Sequence, residues 1–255
     1  MFSKLSIYLI LVSLIQSQTV ITVYAQERTN KFRYFERALI EEVVQLYNRA
    51  HKDTLYKIEF KDVLYFQDLF TLIDRATQTS EFNSVMAINK ISITEERKKK
   101  YDFSTPYMVN KYVMLKLKER TDITEESIFK TPYRVVLTKG SIYDELTHSF
   151  DKQNTLTYSY FKSNKECAEQ LKQKHADLFV SDYVDTWIYD LEVGKMLMPE
   201  FNDQLGIMFP KGSLLFQHLE KYVIYFVKSP KFYNLVRKYF GVERMKYYKR
   251  SIYSG

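Results

Sequence analysis

The chain has 255 residues, 45% of them hydrophobic and 27% charged, which is an ordinary balance for a globular protein with a substantial core. It has only six glycines and contains neither G-x-G-x-x-G nor G-x-x-x-x-G-K-[ST], which argues against a glycine-loop nucleotide fold. The formal net charge is +7, so contact with an acidic surface or nucleic acid has to be considered.

The N-terminus is typical of a signal peptide, predicted over residues 1–17. Lys4 supplies the basic region, and residues 5–15 form an uncharged apolar run that is too short to span a bilayer. A buried first strand is the alternative. Cleavage after about residue 17 is favoured over cleavage after Ala25, because the later cut would remove a predicted strand. Since Cys167 is alone, no internal disulfide is possible. Cys167 also lies far from the cleavage region and cannot serve there as a lipid anchor, so the export signal predicts a periplasmic location.

Two β-α-β-α-β units are predicted in chain order from short apolar strands and amphipathic helices. The first has strands at 20–25, 54–60 and 82–87 and helices at 32–52 and 65–77. The second has strands at 134–138, 155–160 and 177–182 and helices at 141–150, 164–176 and 183–193. Such units form right-handed parallel sheets with helices on both faces. The basic residues 228–250 are interpreted as a solvated helical face, with an anionic-surface or nucleic-acid contact as the alternative.

Polar residues follow these strands at the ends where open α/β sheets bind ligands. Ser92 and Arg97 follow the first unit's third strand, Ser141 follows the first strand of the second unit, and Asp182 closes that unit's third strand. Arginine suits a carboxylate because its planar fork donates two parallel hydrogen bonds. The alternatives are a solvated arginine in a helix capped by Thr94, and simple helix caps for Ser141 and Asp182.

The segment SITEERKKKYDFSTPY, residues 92–107, resembles the signature of the bacterial extracellular solute-binding proteins of family 3, the polar amino-acid-binding receptors of ABC transporters. HADLFVSD at 175–182, GIMFPKGS at 206–213 and FYNLVRKYFG at 232–241 resemble later segments of the family, in the same order. The resemblance implies an α/β, two-lobed periplasmic-binding-protein (Venus flytrap) fold, each lobe a mainly parallel sheet flanked by helices. Lobe one would comprise 18–106 plus 206–255 and lobe two 112–203, with hinges near 107–111 and 204–205.

The resemblance also implies a ligand site. By position, Arg97 matches the arginine that binds the ligand's α-carboxylate, and Ser92 matches the hydroxyl residue beside it. Asp182 matches the carboxylate that takes the α-amino group. Ser141 matches the Ser or Thr of a turn at a helix N-terminus.

Two further positions bear on selectivity. Tyr65, or its neighbour Phe66, falls near the aromatic residue that covers the ligand side chain. Lys90 stands where a glycine often supplies a carbonyl, so its side chain is expected to narrow the cleft. The loop after the first strand lacks the aromatic residues and the Asp that many members use to bind the ligand, so the resemblance does not determine which ligand side chain the site selects.

The resulting hypothesis is a periplasmic solute-binding protein that captures a small polar carboxylate-bearing ligand, an amino acid in the first instance. Closure of the two lobes would deliver the ligand to an ABC permease. We expect a monomer with no cofactor, no metal, no nucleic-acid partner and no stable membrane insertion. The alternatives are a sensory receptor without a permease and a periplasmic dehydratase of prephenate-like acids. No catalytic residue can be nominated, because the histidines lack metal spacing and no G-x-S-x-G occurs.

Overall fold

The computed structural model describes residues 17–26, 30–198 and 203–242. Almost all of the predicted signal peptide, and the basic residues after 242, lie outside the described residues. In chain order the strands are β1 (Ser17–Gln26), β2 (Thr54–Val63), β3 (Val85–Ser92), β4 (Tyr101–Phe103), β5 (Met108–Asn110), β6 (Tyr112–Lys116), β7 (Arg134–Thr138), β8 (Thr157–Phe161), β9 (Leu178–Asp182), β10 (Glu192–Leu197) and β11 (Asp203–Pro210). The helices are α1 (Lys31–Ala50), α2 (Phe66–Ala76), α3 (Glu95–Lys100), α4 (Tyr143–Phe150), α5 (Asn164–Lys172), α6 (Asp185–Tyr189), α7 (Leu214–Val227) and α8 (Pro230–Phe240). A short 3-10 helix, Ser80–Asn83, precedes β3.

The first sheet has the strand order β2-β1-β3-β11-β4, and β5 also pairs with β11. β2, β1 and β3 are parallel, as predicted for the first unit, whereas β11 returns from late in the chain and pairs antiparallel with β3, β4 and β5. Apolar side chains of α1, α7 and α8 cover one face of this sheet, and those of α2 cover the other. The part of the protein built on this sheet is called lobe A.

The second sheet has the order β10-β6-β9-β7-β8. β8, β7 and β9 are parallel, as predicted for the second unit, and β6 pairs antiparallel with both β9 and β10. Helices α4 and α5 contribute to buried clusters on opposite faces. The part built on this sheet is called lobe B. The exact lobe and hinge boundaries given by the resemblance stay a prediction.

The helix predicted over residues 183–193 is wrong at both ends. The structure has only the short helix α6, and residues from Glu192 onward belong to strand β10. Asp190, with a φ of 59°, adopts the left-handed conformation that commonly ends a helix. Periodicity missed this stop because the usual signal, a glycine or asparagine, is absent.

The two lobes are in contact in this structure. Val184, Trp187 and Ile188 of lobe B pack against the main buried cluster of lobe A. The Gln26 side chain at the end of β1 donates a hydrogen bond of 2.9 Å to the Lys162 carbonyl of lobe B. The closed arrangement brings the carboxyl ends of β3 and β9 to one interface. None of the helices within the described ranges combines the length and apolarity that crossing a membrane requires.

Candidate functional site

Five of the six predicted site residues line one cavity between the lobes. The cavity measures about 20 Å³, which is room for about one water molecule. Its lining comprises Phe66, Asn89, Lys90, Ser92, Arg97, Thr138, Ser141, Ile142, Tyr143, Asn164 and Asp182. The ends of β3 and β9 are therefore brought together as the sequence predicts.

Lys90 crosses from lobe A to lobe B near the end of β3. Its side chain is 2% exposed, and its ammonium group donates to both oxygens of Asp185 at 2.9 Å and forms an ion pair with Asp182. Its backbone has a φ of 51°, in the left-handed region that favours glycine, and its N–H donates to Glu36 Oε1 at 2.7 Å. Lys90 therefore lines the cleft and makes an ion pair between the lobes.

Asp182 has partners on both carboxylate oxygens. Oδ1 accepts hydrogen bonds from Tyr143 Oη and from Asn110 Nδ2, the latter at 2.7 Å. Oδ2 pairs with the Lys90 ammonium group. The helix-cap alternative does not apply, because α6 begins three residues later and has Val184 at its N-cap position. Asp182 is thus part of a buried network that joins both lobes.

Asp185 is a site residue that sequence reasoning missed. It is completely buried, and its Oδ2 accepts from Asn164 Nδ2 at 2.6 Å and from the Ser181 hydroxyl, in addition to Lys90. Its position three residues after Asp182, at the start of a helix, is a signal that could have indicated a shared face. One lysine thus faces two buried carboxylates.

Asp203 is a further buried carboxyl group beside the site. Its Oδ2 accepts from Ser92 Oγ at 3.0 Å and from Asn110 Nδ2 at 3.3 Å. Burial, followed by the nearby charge of Asp182, raises the pKa of Asp203 from 3.8 to about 7. The hydroxyl group of Ser92 is therefore already bonded to a carboxyl group of the protein itself.

Arg97 lies at the mouth of the cleft. Thr94 caps α3 through a 3.2 Å bond from the Arg97 N–H, as the cap alternative expected. The half-buried guanidinium group donates to the Ser92 carbonyl at 2.9 Å and lies 4.8 Å from the centre of the Phe70 ring. Burial lowers the pKa of this group, which still remains charged, because arginine is not deprotonated in proteins.

A second, larger cavity opens outward from Arg97. It measures about 620 Å³ and lies between α2 and α3 of lobe A and the start of α4 in lobe B. Arg97, Ser141 and Ile142 line both this outer cavity and the small inner one. The guanidinium group is therefore accessible from a space much larger than the inner cavity.

Two polar side chains of the inner cavity have no hydrogen-bond partner among the residues that the structure describes. They are Ser141, whose Oγ is buried, and Asn89, whose amide oxygen and nitrogen are both buried. Ser141 does not cap α4, because Ile142 occupies the N-cap position and makes no side-chain bond. Sequence reasoning missed Asn89, which lies inside a strand whose residues are all buried. Such groups are available to a polar ligand.

Tyr65 does not reach the inner cavity. It is 37% exposed at the start of α2, and its ring lies 5.2 Å from the ammonium group of Lys162 in lobe B. The neighbouring Phe66, which the sequence offered as the alternative aromatic residue, is buried and lines the cavity.

Residues 42–242 match the family model of the bacterial extracellular solute-binding proteins, family 3. The chain belongs to this family. Family 3 membership agrees with the resemblance drawn from residues 92–107, and the two-lobed architecture agrees with it as well.

Solved structures with the same fold include binding proteins for amino acids. ArgBP from T. maritima, as a mutant, aligns with a TM-score of 0.70 at 20% identity, covering 88% of this chain and 96% of that chain. The arginine-, lysine-, histidine-binding protein ArtJ from Geobacillus stearothermophilus aligns with a TM-score of 0.69 at 20% identity, covering 89% and 100%. An ancestral amino acid-binding protein, described as a precursor of cyclohexadienyl dehydratase, aligns with a TM-score of 0.67 at 21% identity, covering 87% and 95%. At these identities the likeness establishes the fold.

Proposed function

We propose that this family 3 protein captures a small polar solute bearing a carboxylate, with amino acids as the first class to test. The observation that carries the proposal is the position of Arg97. Its half-buried guanidinium group lies in the cleft, lines both cavities and has the fork geometry that binds carboxylates. Desolvation beside Phe70 strengthens its attraction for an anion.

Capture works through closure of the two lobes. Arg97 and Ser92 belong to lobe A, whereas Ser141 and Asp182 belong to lobe B. A solute held at this interface contacts both lobes only when they are closed, so it shifts the population toward the closed form. The closed form is the one we propose to deliver its solute to an ABC permease, as the described functions of several similar structures suggest.

Export and location belong to the same proposal. Residues 1–17 act as a cleaved signal peptide, and the mature protein works as a monomer in the periplasm. Cleavage near residue 17 keeps β1, which is the central partner of both β2 and β3. Cleavage after Ala25 would remove nearly all of that strand.

Binding without turnover is favoured over the dehydratase alternative. General acid catalysis needs a proton donor within reach of the substrate. Among the described residues, Asp203 is a carboxyl group whose pKa lies near neutrality, but it does not line either cleft cavity and is bonded to Ser92 and Asn110. Turnover of prephenate by the purified protein would contradict the proposal of a binding protein.

The proposal is tested by a thermal-shift screen of the purified mature protein against amino acids and small carboxylic acids. A solute that binds only the folded state raises the melting temperature in proportion to the logarithm of its concentration. Replacing Arg97 with Ala should abolish every shift. The matched control is Arg49→Ala, which removes an exposed arginine whose side chain, within the described part of the chain, bonds only to Gln45, and it should leave the shifts unchanged. No shift with any acid, or shifts that survive Arg97→Ala, would overturn the proposal.

A further inference from the structure

We infer that the Lys90 ammonium group takes the place of a ligand's α-ammonium group, so that the natural ligand is a small carboxylic acid lacking one. The inference rests on the proposed function, because it concerns the same cleft. It specifies the class of acid that the cleft accepts, and it separates this chain from receptors for zwitterionic amino acids.

The first step is the occupation of Asp182. Both of its oxygens have partners: Tyr143 and Asn110 donate to Oδ1, and Lys90 pairs with Oδ2. Asp182 is the only carboxylate among the described residues that line the inner cavity. Both oxygens of the side chain that would receive an incoming ammonium group therefore already have protein partners, and Asp182 shares the Lys90 charge with Asp185.

The second step concerns the cost of moving Lys90 aside. Its ammonium group has three carboxylate contacts: both oxygens of Asp185 and one of Asp182. Asp185 is completely buried, and its other hydrogen-bond partners among the described residues are the neutral groups of Asn164 and Ser181. Because Asp185 binds the Lys90 ammonium group through both of its oxygens, a ligand ammonium group that reached Asp182 would have to lie directly against the Lys90 ammonium group, and like charges repel.

The third step is the character of the groups that remain available. Asn89 and Ser141 offer neutral hydrogen-bonding atoms that are buried without partners, and Asn89 is only 1% exposed. Arg97 offers a cation beside them. One cation and two neutral groups suit an anion with hydrogen-bonding oxygens. An α-ammonium group placed beside Arg97 would be repelled by its guanidinium group.

The fourth step is the space. The inner cavity holds about one water molecule, whereas the outer cavity of about 620 Å³ shares Arg97, Ser141 and Ile142 with it. The acid thus lies with its carboxylate on Arg97 and Ser141 and its carbon chain in the outer cavity, beside Phe70. That cavity is also lined by Asp74, Glu96, Asp144, Glu145 and Lys100, so an uncharged chain is expected to bind more tightly than one with a second carboxylate. The acid does not reach Asp182.

Matched pairs of ligands test the inference by isothermal titration calorimetry. Each pair joins an L-amino acid to the acid of the same chain without the amino group: glutamate and glutarate, alanine and propionate, phenylalanine and 3-phenylpropionate. The wild type should bind at least one of the deaminated acids, and bind it at least tenfold more tightly than its amino-acid partner. Lys90→Gly, which suits the left-handed backbone at this position, should reverse that preference because it leaves Asp182 and Asp185 without a cation.

Each outcome has a distinct meaning. Wild-type preference for amino acids would overturn the inference and leave the proposed function intact. An unchanged preference in a Lys90→Gly protein with native circular dichroism would also overturn the inference. Binding of no ligand in either set by either protein would overturn the proposed function together with it. Since the wild-type pairs suffice for a decision, the test does not depend on the folding of the variant.

Discussion

Replacing Lys90 with Met should lower the free energy of unfolding by about 3–5 kcal/mol. Methionine keeps an unbranched chain of similar length and accepts the same backbone, but it removes the ammonium group between Asp182 and Asp185. These carboxylates are 3% and 0% exposed, so each would stay buried without its cation. Breaking a buried ion pair from one side typically costs about 3–5 kcal/mol, a large part of the roughly 5–15 kcal/mol that stabilises a domain.

The loss is measured by urea denaturation at pH 7, followed by circular dichroism and by the fluorescence of Trp187, the single tryptophan of the chain. Trp187 belongs to lobe B but packs against the buried cluster of lobe A, so its emission also reports contact between the lobes. The control combines Lys90→Met with Asp182→Asn and Asp185→Asn, which removes the unpaired charges and should recover most of the loss. A single-variant loss below about 1 kcal/mol, or a triple variant no more stable than the single one, would refute the ion-pair reasoning.

Three further outcomes follow from other buried groups. The pKa of Asp203 is raised to about 7 in the folded protein, so its contribution to stability is complete below pH 4 and is lost as the pH rises through 7. The melting temperature should therefore fall more steeply from pH 5 to pH 8 in the wild type than in Asp203→Asn. Equal slopes of melting temperature against pH would contradict this. Tyr107→Phe should lower the free energy of unfolding by about 1.5–3 kcal/mol in denaturant titrations, because the buried Tyr107 hydroxyl donates to Glu36 at 2.7 Å. An unchanged free energy of unfolding would show that another group takes over the hydrogen bond to Glu36. Burial raises the pKa of the Cys167 thiol to about 12, so a thiol reagent at pH 8 should label it only after unfolding, and rapid labelling of the native protein would contradict its buried position.

The sequence predicts the parallel parts of both sheets well. Strand β7 begins and ends where the apolar run RVVLT does, and the crossover helices follow their apolar spacing. The short antiparallel strands β4, β5 and β6, and the returning strand β11, were not predicted. Their existence depends on pairing with residues far away in the chain, such as that of Asp203 with Asn110, and a local pattern carries no trace of that pairing.

The candidate site was predictable in part, because the strand ends that carry it were. Arg97, Ser92 and Asp182 follow strands, and strand ends in open α/β sheets meet at one edge. What the sequence could not indicate is how these groups are partnered. Lys90 and Asp185 are 95 residues apart, and their contact joins the two lobes. The same ammonium group also pairs with Asp182, so the carboxylate that the sequence offers to a ligand already has a partner in the protein.

The most direct test of the central claim, that Arg97 binds a ligand carboxylate, is a double-mutant cycle measured by calorimetry. The tightest acid from the screen and its primary amide are each titrated into the wild type and Arg97→Met, with Arg49→Met as a charge-matched control. Arg97→Met alone, or the amide in place of the acid alone, should weaken binding by about 2–3 kcal/mol. The two changes together should weaken it little more than either change alone, because they remove the same hydrogen bonds. Additive losses, or an equal loss in Arg49→Met, would show that the carboxylate binds elsewhere.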